Sequence, residues 1–216
     1  MALLESAVVV YLRELYYPNG FVFPLSPMKS VVILTELARE FATIVMLWTI
    51  AYVAGRNFST RFAWFIIGFG IWDIFYYVFL YVFIQWPSSV FEWDILFLIP
   101  LPWYGPVIAP CLISVAMIVF GEVILYFDKL CDKIIWKLLS ITALLIGCVI
   151  SLYTFMFDFW NSFEFVNGIS KSDQIMLQSQ VYIPSDYNYG LFGIGLGFIC
   201  LGISKFWKDN LDCHSK

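Results

Sequence analysis

The sequence predicts an all-α fold: a polytopic integral membrane bundle of five transmembrane helices, with an N-terminal interfacial helix and a Pro-rich re-entrant or interfacial segment. Three observations carry this expectation. Charged residues make up only 13% of the 216-residue chain and apolar ones 62%, where a soluble domain carries about 25% charged residues. Five segments reach the roughly 20 mostly apolar residues that a spanning helix needs. Lysines and arginines gather at alternate ends of those segments. Too few polar residues remain to cover a globule, so the lipid bilayer is the first partner expected. The 20% aromatic content suits the headgroup region, where Trp and Tyr settle. No polar stretch is long enough to fold alone, so residues 1–216 read as one membrane domain.

The elements follow in order. Residues 1–30 hold an N-terminal helix and a connector. In MALLESAVVVYLREL, Leu3, Leu4, Ala7, Val8, Tyr11, Leu12 and Leu15 recur at helical spacing, which predicts a short amphipathic helix over 2–17 lying in the interface. A signal peptide fits less well: there is no basic n-region, Glu5 interrupts the apolar run, and no small-residue cleavage site follows. Transmembrane helices are expected over 31–54, 61–84, 105–127, 134–157 and 188–207.

The connection at 85–104 is apolar yet carries Pro87, Pro100 and Pro102, with Pro106 and Pro110 just beyond. Proline removes backbone donors and breaks helices, so this stretch is expected to form a re-entrant or interfacial hairpin. Such backbone survives at membrane depth only where protein or a water-filled cavity surrounds it. Residues 158–187, with Asp158, Glu164, Asp173 and Asp186, read as an outer polar loop capping the same face.

Charge bias sets the orientation. Arg56, Arg61, Lys129, Lys133, Lys137, Lys205, Lys208 and Lys216 fall at one end of the spans, and only Arg13, Lys29 and Lys171 at the other. The N-terminus is therefore expected outside and the C-terminus in the cytoplasm, in the plasma (inner) membrane if the source is bacterial. The Asn57-Phe58-Ser59 sequon falls on the predicted cytoplasmic side and is discounted. In the last span Gly190, Gly193 and Gly197 share one side, and small residues at that spacing let helices approach. They suit packing within the bundle, or a homo-oligomer or membrane partner.

The chemistry concentrates in TELAREF. Glu36, Arg39 and Glu40 stand at i, i+3 and i+4 spacing inside the first span, so they share one side of the helix. At 1.5 Å per residue, Glu36 lies about 7 Å and Glu40 about 13 Å from its outer end. The second span carries Asp73 near its middle, on a face with Tyr76 and Tyr77. Each charge near mid-bilayer costs about 2.5–3.5 kcal/mol on insertion scales, so partners are required. Asp73 is expected to face Arg39, and Glu92 and Asp94 to lie above the patch.

Arg39 keeps its proton, and three acids around one arginine leave surplus negative charge. Either some carboxyls stay protonated or a bound cation supplies the balance. Glu36, Glu40, Asp73 and Asp94 are the candidate metal ligands. Oxygen ligands alone favour a hard divalent ion such as Mg²⁺, Ca²⁺ or Mn²⁺. The predicted binding set is Glu36, Arg39, Glu40, Asp73, Tyr76, Tyr77, Glu92 and Asp94, with Trp93, Trp103 and Tyr104 as lining for an apolar tunnel. Trp72-Asp73-Ile74 and Trp93-Asp94-Ile95 echo each other, too short a match to be read as a repeat.

Other residues exclude more than they propose. His214 is the single histidine, so haem, a His-ligated metal or a histidine base within the membrane is not expected. Cysteines 111, 131, 148, 200 and 213 lack the paired spacings of a zinc site or disulfide framework. Cys111, Cys148 and Cys200 read as small buried apolar residues. Glu122 reads as a snorkelling carboxylate at the cytoplasmic end of span three. Phosphate-binding loops, dinucleotide fingerprints and the common hydrolase motifs are absent, and no basic, aromatic-laced stripe suggests nucleic acid.

Three functions fit these residues. In the first, an outward-opening polar pocket binds or passes a small solute, a proton or a cation. In the second, a membrane-embedded enzyme acts on a lipid or lipid-linked substrate, its acids serving as acid/base groups or metal ligands and Arg39 binding an anionic headgroup. In the third, a structural or assembly subunit keeps the polar patch purely for register. The first is placed ahead.

Overall fold

The structure is a computed structural model describing residues 1–99, 101–162 and 171–211. Pro100, Glu164, Cys213, His214, Lys216 and the 163–170 stretch of the expected outer loop lie outside them. The chain forms α1 (Ala2–Tyr16), α2 (Ser30–Ala54), α3 (Phe58–Ile84), β1 (Trp93–Phe97), β2 (Trp103–Pro106), α4 (Ile108–Leu130), α5 (Leu138–Asn161), α6 (Lys171–Ser179) and α7 (Tyr189–Leu211).

Helices α3, α4, α5 and α7 are each long and apolar enough to cross a membrane. Helix α2 has 25 residues but includes the three charges of TELAREF, and it stands apart from those four. Large apolar side chains are exposed along every long helix, among them Val53, Val82, Val119, Val149 and Leu201. A soluble monomer rarely shows apolar surface on that scale, and the pattern fits a membrane protein.

The bundle is built from pairs: α5 with α7, α3 with α4, and α2 and α1 each against α3. One apolar core, formed by Ala63, Ile66, Phe120, Ile124, Phe127 and Phe206, joins α3, α4 and α7. A second, with Ala109, Phe155 and Phe192, joins α4, α5 and α7. Asn57 starts α3 with a capping box: its Oδ1 accepts from the Thr60 N–H at 2.9 Å, and Thr60 Oγ1 accepts from its own N–H at 3.1 Å. Its Nδ2 also donates to Asp128 at 2.8 Å. Buried Asn210 of α7 ties down the 131–137 turn by accepting from the Ile135 N–H at 2.8 Å and donating to its carbonyl at 3.1 Å.

Several expectations are corrected. Helix α1 is not held to the bundle by its apolar stripe. It packs along α3, with Ala2 beside Leu47 and Trp72 and Arg13 reaching Trp86 beyond the end of α3. Its apolar stripe faces out, since Leu3, Leu4, Tyr11 and Leu15 are exposed while Ala2, Ser6 and Arg13 are buried. In lipid the polar side of a helix is the side that needs protein, which reverses the soluble-protein rule.

The Pro-rich segment does form a hairpin, but one of two antiparallel strands, so the fold is not purely α. Trp93 pairs with Pro106, Asp94 with Gly105 and Ile95 with Tyr104, with an irregularity between Ile95 and Phe97. The third long helix therefore starts at Ile108 instead of 105. The outer polar segment contains a helix, α6, and Asp158 belongs to α5, where it accepts from the Tyr182 hydroxyl at 2.6 Å.

The glycines at 190, 193 and 197 do not pack inside the bundle. A Cβ added at Gly193 or Gly197 meets nothing within 4 Å. Gly195 and Gly202 face α5 instead, and residues 193 and 195 are about 200° apart around the helix. Cys148 and Cys200 are exposed and Cys111 is half-buried, so they are not core residues. Cys131 is disulfide-bonded, which its spacing did not reveal. Glu122 is exposed.

A candidate cavity between α1, α2, α3 and the hairpin

Helices α1 and α2 both lean on α3, and the β1–β2 hairpin closes the space they share. The result is a cavity of about 560 Å³, within the range of small-molecule sites. Glu5 and Arg13 come from α1, Glu36, Arg39 and Glu40 from α2, Trp72, Asp73, Tyr76 and Tyr77 from α3, and Asp94 and Tyr104 from the hairpin. Seven of the eight predicted binding residues thus line one space.

The eighth, Glu92, does not. It accepts from the backbone and hydroxyl of Ser88 in its own turn, a local role that competes with any reach downward. Trp93 and Trp103 also lie outside the lining. Trp93 packs edge-on to Tyr187, and Trp103 stacks on Phe155. Of the three aromatics expected in a tunnel, Tyr104 alone faces the cavity.

Three ion pairs, built on two arginines, bracket the space. Arg39 Nε and Nη2 both lie 2.9 Å from Glu36 Oε2, and its Nη1 lies 2.7 Å from Glu5 Oε1. Glu5 also accepts from Trp72 Nε1 at 2.9 Å, which ties three helices to one carboxylate. At the other end Arg13 Nη2 donates to Asp94 Oδ1 at 3.4 Å. The Arg13 guanidinium lies over two rings set 80° to each other, 3.7 Å from the Trp86 centroid and 4.5 Å from that of Phe21, an arrangement favourable to a cation.

Asp73 does not face Arg39 as the sequence suggested. Its Oδ2 accepts from Ser114 Oγ of α4 at 2.8 Å. A close approach of α3 and α4 makes this possible: a Cβ on Gly70 would sit 2.6 Å from the Ser114 carbonyl oxygen. Glu40 is buried and accepts from the Leu98 N–H at the hairpin turn, 3.0 Å away. Ser6 of α1 donates to the Tyr76 carbonyl at 3.0 Å, anchoring the helix that carries both missed counter-charges.

Burial raises Asp94 to about 6, with Arg13 opposing that rise. Burial likewise raises Glu5 above its ordinary value, again against a nearby guanidinium, that of Arg39. Three buried polar atoms of the lining lack a hydrogen-bond partner: Arg13 Nη1, Asp94 Oδ2 and the Tyr104 hydroxyl. Among the described residues no three His, Cys, Asp or Glu side chains are arranged to hold a metal ion. The four candidate metal ligands share the cavity, but each has its own protein partner.

Glu5, Arg13, Trp72, Ser114 and the Leu98 amide are the functional groups that the sequence reading missed. The echoing Trp-Asp-Ile triplets do converge, since Asp73 and Asp94 both line the cavity. Comparisons of the chain with protein-family models, curated proteins and solved structures find no match.

Proposed function

We propose that this is an integral membrane protein whose cavity between α1, α2, α3 and the hairpin binds, and possesses the means to pass, a small solute. The observation carrying this reading is the cavity itself: about 560 Å³, lined by seven acidic or basic side chains from α1, α2, α3 and β1, with buried polar atoms still lacking partners. A purely structural polar patch gains most when its members satisfy one another, because an unpartnered buried polar atom costs about 1–3 kcal/mol. Here part of that capacity is unmet by the protein.

In this reading α2 is the fifth crossing. Its charges are tolerated because Glu5 neutralises Arg39 from α1 and the Leu98 amide meets Glu40. The cation-rich ends of the helices are cytoplasmic, which opens the cavity toward the outer face, in a plasma membrane if the source is bacterial. A docking partner, if the protein has one, would find Gly190, Gly193 and Gly197 open on α7.

Native mass spectrometry of the detergent-purified chain tests the proposal. Wild type is expected to retain a small bound molecule, and Leu37→Trp, which fills the cavity wall, is expected to lose it. A wild-type protein that is always bare, beside a plugged variant of equal stability, would favour the structural-subunit reading instead.

A further inference from the structure

The charge of the cavity is lopsided once its partners are assigned. Five carboxylates line it (Glu5, Glu36, Glu40, Asp73 and Asp94) against two guanidiniums, Arg13 and Arg39. Arg39 takes up Glu5 and Glu36, and Arg13 takes up Asp94. Glu40 and Asp73 are left with one neutral donor each, the Leu98 amide and the Ser114 hydroxyl. An ionised carboxylate offers about four acceptor sites, so most of their capacity is unmet. Asp94, 3% exposed, adds Oδ2, whose only near donors are its neighbours Tyr77 and the Ile95 amide, neither at full hydrogen-bond geometry.

These acceptors do not converge on a point. Among the described residues no group of three is placed to coordinate a metal ion, whereas a hard cation wants six or more oxygens at about 2.0–2.6 Å. They are spread over several walls, with the rings of Trp72, Tyr76 and Tyr77 in the same lining. Dispersed carboxylates among aromatic faces suit an organic cation, whose larger surface is met by several contacts and by ring quadrupoles. The guanidinium of Arg13, which lies over the rings of Trp86 and Phe21, shows that aromatic faces already serve a cation here.

The rest of the lining is apolar. Val9 and Leu12 of α1 line it together with Ile33, Leu34 and Leu37 of α2. Leu34 lines the cavity and is also 63% exposed on the outer surface of the bundle. The cavity therefore reaches the side of the protein at α2, about 6 Å along that helix from Ser30, where the proposed membrane setting supplies hydrocarbon. A soluble polar solute has no use for such a wall, whereas an alkyl chain does.

We infer that the cavity takes an amphipathic organic cation, an alkyl ammonium whose head lies by Glu40 and Asp73 and whose chain passes out between α1 and α2. This rests on the reading of the cavity as a ligand site and adds the chemical class of its occupant. Two sources offer that chemistry: a free long-chain amine, and a phospholipid with an ethanolamine head.

The test uses the full chain in a neutral maltoside detergent and follows thermal unfolding with three probes of equal chain length: dodecylammonium, dodecanol and dodecanoate. Dodecylammonium is expected to raise the midpoint saturably, as a ligand of the folded state does, at concentrations where the other two do nothing. Glu40→Gln keeps the shape and still accepts from the Leu98 amide, and is expected to bind the amine about tenfold more weakly for loss of one charge-assisted contact. Asp73→Asn, expected to act the same way, serves if Glu40→Gln does not fold.

Equal stabilisation by the alcohol or the carboxylate, or amine binding unchanged in both variants, would overturn the cation inference and leave the ligand site standing. No stabilisation by any of the three would remove both. Nanodiscs then separate the sources. Weaker dodecylammonium binding in phosphatidylethanolamine than in phosphatidylglycerol discs assigns the lipid head, and equal binding assigns the free amine.

Discussion

Arg39 and Glu5 meet at 2.7 Å across the gap between α2 and α1, although 34 positions of sequence separate them. That contact lets a helix with three charges sit among apolar ones, and it ties α1 to α2 across the cavity lining. Removing either partner leaves a charge with less compensation than its burial requires. Arg39→Met is expected to cost about 3–5 kcal/mol, since it strands two carboxylates. Glu5→Gln is expected to cost about 1–2 kcal/mol, because Glu36 still pairs with Arg39 and Gln still accepts from Trp72. Thermal unfolding in detergent gives the order; a Glu5→Gln protein less stable than Arg39→Met would show that the pair does not hold α1.

Much of this site was legible in the sequence because charge inside an apolar run is conspicuous. Glu36, Arg39, Glu40 and Asp73 announce themselves against hydropathy, and Asp94 follows once the Pro-rich segment is folded over them. Glu5 and Arg13 were hidden by a rule carried over from water, in which the apolar stripe of an amphipathic helix marks its buried face. On α1 the stripe to follow was Ala2, Ser6, Val9 and Arg13, small and polar at i, i+4, i+7 and i+11. The strands within the expected hairpin escaped for a different reason. Strands of five and four residues carry too little period-2 pattern to stand out in a segment rich in proline and aromatics.

Glycine spacing on α7 misled in the same way, and the two faces of that helix give opposite expectations. A Cβ at Gly147 of α5 would lie 2.6 Å from the Gly195 carbonyl oxygen and 2.7 Å from the Ile199 nitrogen, backbone atoms that yield only if the helices part. Gly147→Ala is expected to destabilise by about 1–3 kcal/mol, as overpacking does. Gly193→Ala meets nothing within 4 Å and is expected to be neutral, or to gain up to about 1 kcal/mol in helix propensity. Unfolding midpoints of the two variants, measured side by side, decide the matter. A harmful Gly193→Ala would mean that another helix covers that face in the purified protein.

The Asp94 carboxyl gives the fold a pH signature. Burial lifts it from an ordinary 3.8 to about 6, so between those values the folded chain holds a proton that the unfolded chain releases. Stability is then expected to be greatest near pH 4 and to fall as pH rises to about 6, flattening above, with a total change on the order of 3 kcal/mol. Glu5, raised in the same direction by burial, adds to the slope. Asp94→Asn should flatten the profile. Midpoints recorded from pH 4 to 8 that rise through this window would contradict the buried placement of both groups.

Orientation is open to a direct measurement because the two ends of the bundle differ so much in charge. Arg56 and Arg61 stand at the end where α2 gives way to α3, and Lys129, Lys133, Lys137, Lys205 and Lys208 gather at the same end. On the proposed positive-inside reading that end is cytoplasmic, with the hairpin and the cavity outward. Cys131 lies at the cation-rich end and is disulfide-bonded, which belongs on an oxidising side, so one of the two signals has to give way. Ser89→Cys in the hairpin region and Arg56→Cys at the opposite end both replace exposed residues. In intact cells a membrane-impermeant thiol reagent is expected to label the first and spare the second, with unsubstituted protein as the background. The reverse pattern would turn the bundle over: the cavity would then open to the cytoplasm, its occupant would come from the inner leaflet, and the Cys131 bond would sit where disulfides persist.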